Sequence, residues 1–307
     1  MRWYVKAAAQ LVLSTIPGGL RINSALSRRF GEQRQPEEHV VNRLDVLLRL
    51  VRTARQHADL GRDPAVIELG TGWAPVLPVL LGLAGAETWT YDVTRLLVGE
   101  NVRRTLSVLE GHAETIAAEL GAPAQAIRAR LSELSTGVHG VDRLLAGLGV
   151  RYAAPVDTTR LPLDDGAVQV CMSNLVLAHI PPDILPRVIH ESFRVLSDGG
   201  VAVHRIRMSD EFAGGDPRVH NMNFLRYPWS FWDRFANTKI KYLNRLRCSQ
   251  YKAIFADAGF ELVESREAID RQALEGIRTM KLAREFRQMA PEDLATSIMV
   301  GVWRKRG

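Results

Sequence analysis

"VIELGTGWAPVLPVLLGLAGA" (Val66–Ala86) holds an apolar run, an acid, a Gly-Thr-Gly turn and a second apolar run. The first run is short and bounded by turn residues, as a strand is, and the second is long enough for a helix. Gly70 and Gly72 let the backbone turn sharply and approach a ligand closely. A pyrophosphate-binding turn would repeat glycine three residues after Gly72. Pro75 stands there instead, with bulky Trp73 between. A P-loop would need Lys after its last glycine, and none follows. The turn is therefore poorly made for phosphates.

On both sides of this turn the pattern alternates. Strands are expected at "AVIEL", "ETWTYDV", "RYAAPVD", "AVQVCMSN" and "VAVHRIRM". Helices are expected at "PVLPVLLGLAG", as two or three segments within 96–148, and at "DILPRVIHESFRVL", closed by "SDGG". Such alternation argues for a parallel sheet with helices on both faces. Towards the C-terminus, "SQYKAIFADAGF" reads as a helix stopped by Gly259. "ELVESREA" and "ATSIMVGVWRK" read as strands joined by a helical stretch, 270–290. Before the turn, "PEEHVVNRLDVLLRLVRTARQH" (36–57) places Val40, Leu44, Leu47, Leu48, Val51 and Ala54 on one helical face. Residues 1–60 are expected to be a helical extension and 61–307 the main domain, with a helical insertion at about 96–148 and a lid at about 208–247.

In open sheets of this kind ligands bind beyond the carboxyl ends of the strands, where strand order reverses. Three acids close three successive strands: Glu68, Asp92 and Asp157. Asp92 lies 20 residues after Gly72, where a carboxylate is placed to accept from both ribose hydroxyls.

Taken in order, "VIELGTGWA", "TYDV", "VDTTRLPLDDGAVQVCMSNLVLAHI", "LPRVIHESFRVLSDGG" and "FADAGFELVE" resemble the class I S-adenosylmethionine-dependent methyltransferases over about 63–207 and 248–303. The resemblance implies a Rossmann-like α/β fold with seven strands, mostly parallel, one of them reversed near the C-terminus. It implies S-adenosylmethionine as cofactor and S-adenosylhomocysteine as product. Glu68, Gly70, Thr71 and Gly72 would pass under the methionine and ribose. Ala74 stands where a final glycine is common. Asp92 would hold the ribose hydroxyls, Asp157 the adenine amino group, and the Thr158 amide would face the ring. Ser173 and Asn174 would lie near the methionine and the reaction centre. A sulfonium cofactor without phosphate accounts for the missing third glycine and lysine.

Methyl transfer requires alignment and exclusion of water more than acid–base chemistry. A base serves only where the nucleophile must lose a proton. His179, His204 and His220 stand near strand ends or in the lid, and each could equally be structural. His220, His179 and Tyr227 are the catalytic candidates, with no metal expected. The segment 208–247 interleaves Tyr227, Trp229, Phe231, Trp232, Phe235 and Tyr242 with Arg226, Arg234, Lys239, Lys241, Arg245 and Arg247. These could wall a pocket and meet an anionic substrate, stack single-stranded nucleic acid, or only roof the domain.

The formal charge is +6, with 10 Lys/Arg against 5 Asp/Glu in residues 1–60 and 7 against 1 in 225–252. The surplus favours anionic partners, but no RNA-binding appendage is recognisable, which disfavours nucleic acid. Two cysteines, Cys171 and Cys248, make no disulfide framework and fit a cytoplasmic protein. Ala7–Ile16 is short and interrupted by Gln10, so the first residues read as a docking helix ending at Pro17 rather than a leader. That helix could also touch a membrane surface through Trp3, Tyr4, Leu11, Leu13 and Ile16, or complete a homodimer or protein interface. The leading expectation is methyl transfer to oxygen or nitrogen of a small metabolite, anionic in one version. The rivals are ring closure or elimination on the same fold, a binding or regulatory protein with a vestigial site, and, more distantly, a nicotinamide-dependent oxidoreductase.

Overall fold

The computed structural model describes residues 2–19, 22–23, 26, 36–58, 64–136 and 140–306. Seven strands form one sheet in the order β3-β2-β1-β4-β5-β7-β6. They are β1 (Ala65–Leu69), β2 (Glu87–Tyr91), β3 (Val150–Ala153), β4 (Val168–Asn174), β5 (Leu196–Arg207), β6 (Phe260–Ile269) and β7 (Thr296–Lys305). β1 to β5 run parallel, and β7 is antiparallel to both β5 and β6. Strand order reverses between β1 and β4, the place where such sheets bind ligands.

One face carries Val66, Val170, Met172, Val201, Val203 and Val302. α2 (Pro36–His57) and α3 (Val76–Leu83) cover it, with α4 (Gly99–Glu110), α5 (Ala113–Leu120), α6 (Ala124–Thr136) and α7 (Val141–Ala146). Leu44, Leu48 and Val51 of α2 share one continuous core with Leu106, Leu131 and Leu144. The core therefore does not part at residue 60. Among its described residues the 96–148 insertion holds four helices, where two or three were expected. Gly111 and Gly121, the latter at φ +70°, stop α4 and α5. The other face carries Ile67, Cys171, Ala202 and Met299 and is covered by α8 (Leu185–Val195) and α10 (Cys248–Asp257). Phe255 of α10 stacks on Trp303 of β7 at 3.8 Å.

α2 is fastened at its far end to the β6–β7 edge. His57 meets Glu264 at 2.7 Å, Arg266 donates to the Thr53 hydroxyl at 2.6 Å, and Arg304 donates to the His57 carbonyl at 3.1 Å.

Several boundaries differ from the sequence expectation. β3 ends at Ala153, since Pro155 cannot continue a ladder, and this leaves Asp157 in a loop. β5 opens at Leu196, directly after α8, and its range includes "SDGG", with Gly199 at φ +75°. The 270–290 stretch splits into α11 (Arg271–Thr279), capped by Asp270, and a single 3₁₀ turn at Arg284–Phe286.

The lid is mostly irregular. Within it stand α9 (Trp229–Phe235) and 3₁₀ turns at Ala213–Gly215 and Asn223–Arg226. It has its own core of Trp3, Phe212, Phe224, Trp232, Ile277 and Phe286. α1 (Trp3–Thr15) docks here: Trp3 lies 5.3 Å from Tyr227 and 5.9 Å from Trp232, ring centre to centre, and its amide donates to Asp216 at 3.0 Å. Trp3, one of the side chains offered to a membrane, is thus buried against the lid. Among the described residues no helix is long and apolar enough to cross a membrane.

Candidate active site

The Gly70–Gly72 turn is built by strand pairing. Glu68 and Thr90 face each other in the β1–β2 register. Both are buried, and the Thr90 hydroxyl donates to the Glu68 carboxylate while bridging to Thr71. Burial pushes the Glu68 carboxyl up to about 8, with the Asp92 charge adding to this and the Thr90 bond opposing it. Gly70 (φ +78°) and Gly72 (φ +69°) are both left-handed, a conformation that favours glycine. A Cβ on Gly70 would fall 2.4 Å from Val176, so the chain leaving β4 presses on the turn. A Cβ on Gly72 would meet nothing within 4 Å. The turn is closed on one side and open above.

Asp92 locks the turn. One oxygen accepts from the Gly72 amide at 2.9 Å and the other from Thr94 at 3.0 Å. Each carboxylate oxygen has a second lone pair, so the buried Asp92 can still receive a ligand hydroxyl. Asp157 is exposed; one of its oxygens accepts from the Thr159 amide and hydroxyl, at 2.9 and 2.7 Å, and Thr158 lies beside it. Glu68 lies within β1, Asp92 directly after β2 and Asp157 in the loop after β3, on three neighbouring strands. At the usual spacing of about 4.8 Å per strand, β1 to β3 span roughly 10 Å along the sheet edge. The open cradle, with the acceptors Asp92 and Asp157 beside it, fits a ligand offering hydroxyls and an amino group without phosphate.

The end of β4 is divided. Asn174 faces the α2 side, and its side-chain oxygen accepts from Arg205 at 3.2 Å. Ser173 points the other way and pairs with the buried His204 at 2.8 Å. The Ser173 hydroxyl is therefore committed inside the sheet, a correction to its expected place at the reaction centre. His204 packs against Phe255 and Trp303, and burial lowers it to about 3.

The catalytic candidates do not converge. His220 accepts from the Met222 amide at 3.1 Å, and its other nitrogen faces the Gln272 carbonyl at 3.2 Å. Both ring nitrogens are held by backbone, beside α11, which follows β6. β6 is four strands from β1, or roughly 19 Å. Tyr227 is half-buried in the lid core, and burial raises its phenol. His179 sits directly after β4. Its Nδ1–H donates to the Tyr242 carbonyl at 2.8 Å, and Nε2 lies 3.5 Å from Glu211.

Two lid cations expected to meet substrate are structural instead. Arg245 is fully buried, donates to the Phe224 and Tyr227 carbonyls at 2.8 and 2.6 Å, and lies 4.4 Å over Trp229. Arg247, also fully buried, donates to the carbonyls of Met208, Asp293, Leu294 and Thr296. Lys241 pairs with Glu211 at 3.2 Å and covers Phe212 at 4.0 Å.

Sequence reasoning missed Arg205, Asp210 and Glu211. Asp210 is buried just past β5, and burial raises it to about 6. Glu211 gathers His179, Arg207 and Lys241. The available signal was two arginines, Arg205 and Arg207, two residues apart at the carboxyl end of the "VAVHRIRM" strand. Among the described residues no group of His, Cys, Asp or Glu is placed to hold a metal ion.

Residues 118–204 match the family model described as a methyltransferase domain. With the sheet order and the turn, this match makes the chain similar to the class I S-adenosylmethionine-dependent methyltransferases. The matched stretch begins in α5, beyond the turn, and runs through β3 and β4 into β5. No curated protein matches the chain. Solved structures of similar fold include an S-adenosylmethionine-dependent methyltransferase from Methanosarcina mazei. It is 13% identical, with 82% of this chain and 96% of that one covered and a TM-score of 0.46. The geranyl diphosphate C-methyltransferase of Streptomyces coelicolor is 14% identical, with 86% and 83% covered and a TM-score of 0.46. The [4+2]-cyclase SpnF is 17% identical, with 84% and 80% covered and a TM-score of 0.45. These likenesses concern fold alone.

Proposed function

We propose that the protein transfers a methyl group from S-adenosylmethionine to an oxygen or nitrogen of a small metabolite. The observation that carries this is the open cradle at Gly72 beside the acceptors Asp92 and Asp157, with the buried Glu68 beneath the turn. In this reading Gly70, Thr71 and Gly72 lie under the methionine and ribose, Asp92 receives the ribose hydroxyls, Asp157 the adenine amino group, and Thr158 faces the ring. Asn174 borders the reaction centre. The cofactor supplies a methyl carbon already activated by its sulfonium. The chain's task is then to align the acceptor and keep water out, which the lid core over the strand ends suits. Of the three catalytic candidates we retain His179, since its Nε2 faces the Glu211 carboxylate rather than backbone, as the group that takes a proton from an acceptor O–H or N–H, with Glu211 favouring the imidazolium that forms.

Product mass is the direct test. A gain of one CH₂ on the acceptor, with S-adenosylhomocysteine released, is expected. Turnover with the cofactor unchanged would instead establish ring closure or elimination. In calorimetry Asp92→Ala should weaken S-adenosylhomocysteine binding by about 1–3 kcal/mol, the loss of a charged hydrogen bond. No binding heat from the unaltered protein at millimolar ligand would reject every enzymatic reading.

A further inference from the structure

Arg205 and Arg207 lie two residues apart near the carboxyl end of β5 and therefore on one face. That face is the one against which α2 packs. From α2, Arg43 and Arg49 act on Arg205 electrostatically, so four guanidiniums share one field. Arg205 is half-buried, and burial together with these like charges brings it down to about 10. Among the described residues no carboxylate lies within ion-pair distance of Arg205. Arg207 has Glu211 at 3.5 Å. The Arg205 guanidinium donates from Nη1 to a neutral group, the Asn174 side-chain oxygen, at 3.2 Å.

Gathering like charges around a half-buried position is unfavourable unless an opposite charge arrives. An oriented guanidinium fork matches the two oxygens of a carboxylate or phosphate. The place is informative too. β4 separates β5 from β1, and Val176, two residues past Asn174, touches the Gly70 turn. An anion on Arg205 would sit next to the cofactor cradle.

Resting on the methyl-transfer reading, we infer that the acceptor substrate carries an anionic group, a carboxylate or phosphate, received by Arg205 in the field of Arg43, Arg49 and Arg207. The lid cations Arg245 and Arg247 have no part in it.

The test titrates inorganic phosphate, and separately acetate, into protein saturated with S-adenosylhomocysteine. At least one anion should bind, more weakly as salt rises; which of the two binds better identifies the group. Arg205→Gln should weaken that binding at least about tenfold, while S-adenosylhomocysteine affinity changes less than about twofold. Arg49 is exposed, so Arg49→Glu keeps the fold and should weaken the anion several-fold. Anion affinity indifferent to both substitutions would overturn the inference. So would an anion that displaces S-adenosylhomocysteine, since the arginines would then serve the cofactor's own carboxylate. Failure of S-adenosylhomocysteine itself to bind would strike the methyl-transfer reading first and be visible before any anion is added.

Discussion

The imidazole of His39 lies 4.2 Å from the indole of Trp73, at an interplanar angle of 38°. One ring opens α2 and the other directly follows the Gly70–Gly72 turn. Burial and the neighbouring Arg43 lower His39 to about 4, so at neutral pH an uncharged ring packs on the indole. Trp73→Ala should uncover His39 and let its titration midpoint climb towards the ordinary 6.5, read by NMR. The same substitution should weaken S-adenosylhomocysteine severalfold by loosening the turn. A His39 midpoint that stays near 4 would show that the contact does not control its exposure.

Glu68 gives a pH dependence with a definite sign. Its carboxyl ionises near 4.5 when unfolded and near 8 when folded, so between these values the folded chain holds the extra proton. Stability from this group is present below about 4.5 and is lost progressively as pH rises to about 8. Glu68→Gln should flatten the fall of unfolding free energy across that window in urea titrations. An unaltered slope would mean that other groups govern it.

His179 and His220 should behave differently. His179→Gln should lower kcat by about 10²-fold or more if the acceptor must be deprotonated, with cofactor affinity kept. His220→Gln should leave kcat within about twofold and cost about 1 kcal/mol of stability, since only backbone contacts are lost. The reverse outcome would move the reaction centre into the lid.

Arg247→Met should be among the most destabilising single changes in the lid, at about 3–5 kcal/mol, because it leaves buried carbonyls without donors. Lysine should rescue little, having a single ammonium in place of a fork. Thermal unfolding of the two variants measures this.

Much of the arrangement could be read locally. β1, its glycines and Asp92 belong to one strand–turn–helix–strand unit, where period and spacing carry the message. α2 was visible by its apolar face, though not its membership of the main core, because helix periodicity does not say what the face meets. Strand alternation requires Ser173 and Asn174 to point opposite ways, but only the packing of Phe255 and Trp303 shows which way. The lid could not be read. Arg245 and Arg247 are written like surface cations, and their burial depends on carbonyls supplied from up to 49 residues away, at Thr296. Arg205 belongs to the same class, since its meaning depends on α2 crossing the sheet.

That crossing has a mechanical consequence. A helix of 22 residues reaches about 33 Å, enough to join the turn at Trp73 to the β6–β7 edge. Opening at one end should therefore disturb the other. Amides from Val40 to Ala54 should exchange with solvent in one event with those of β6, and ligand bound at the turn should slow both.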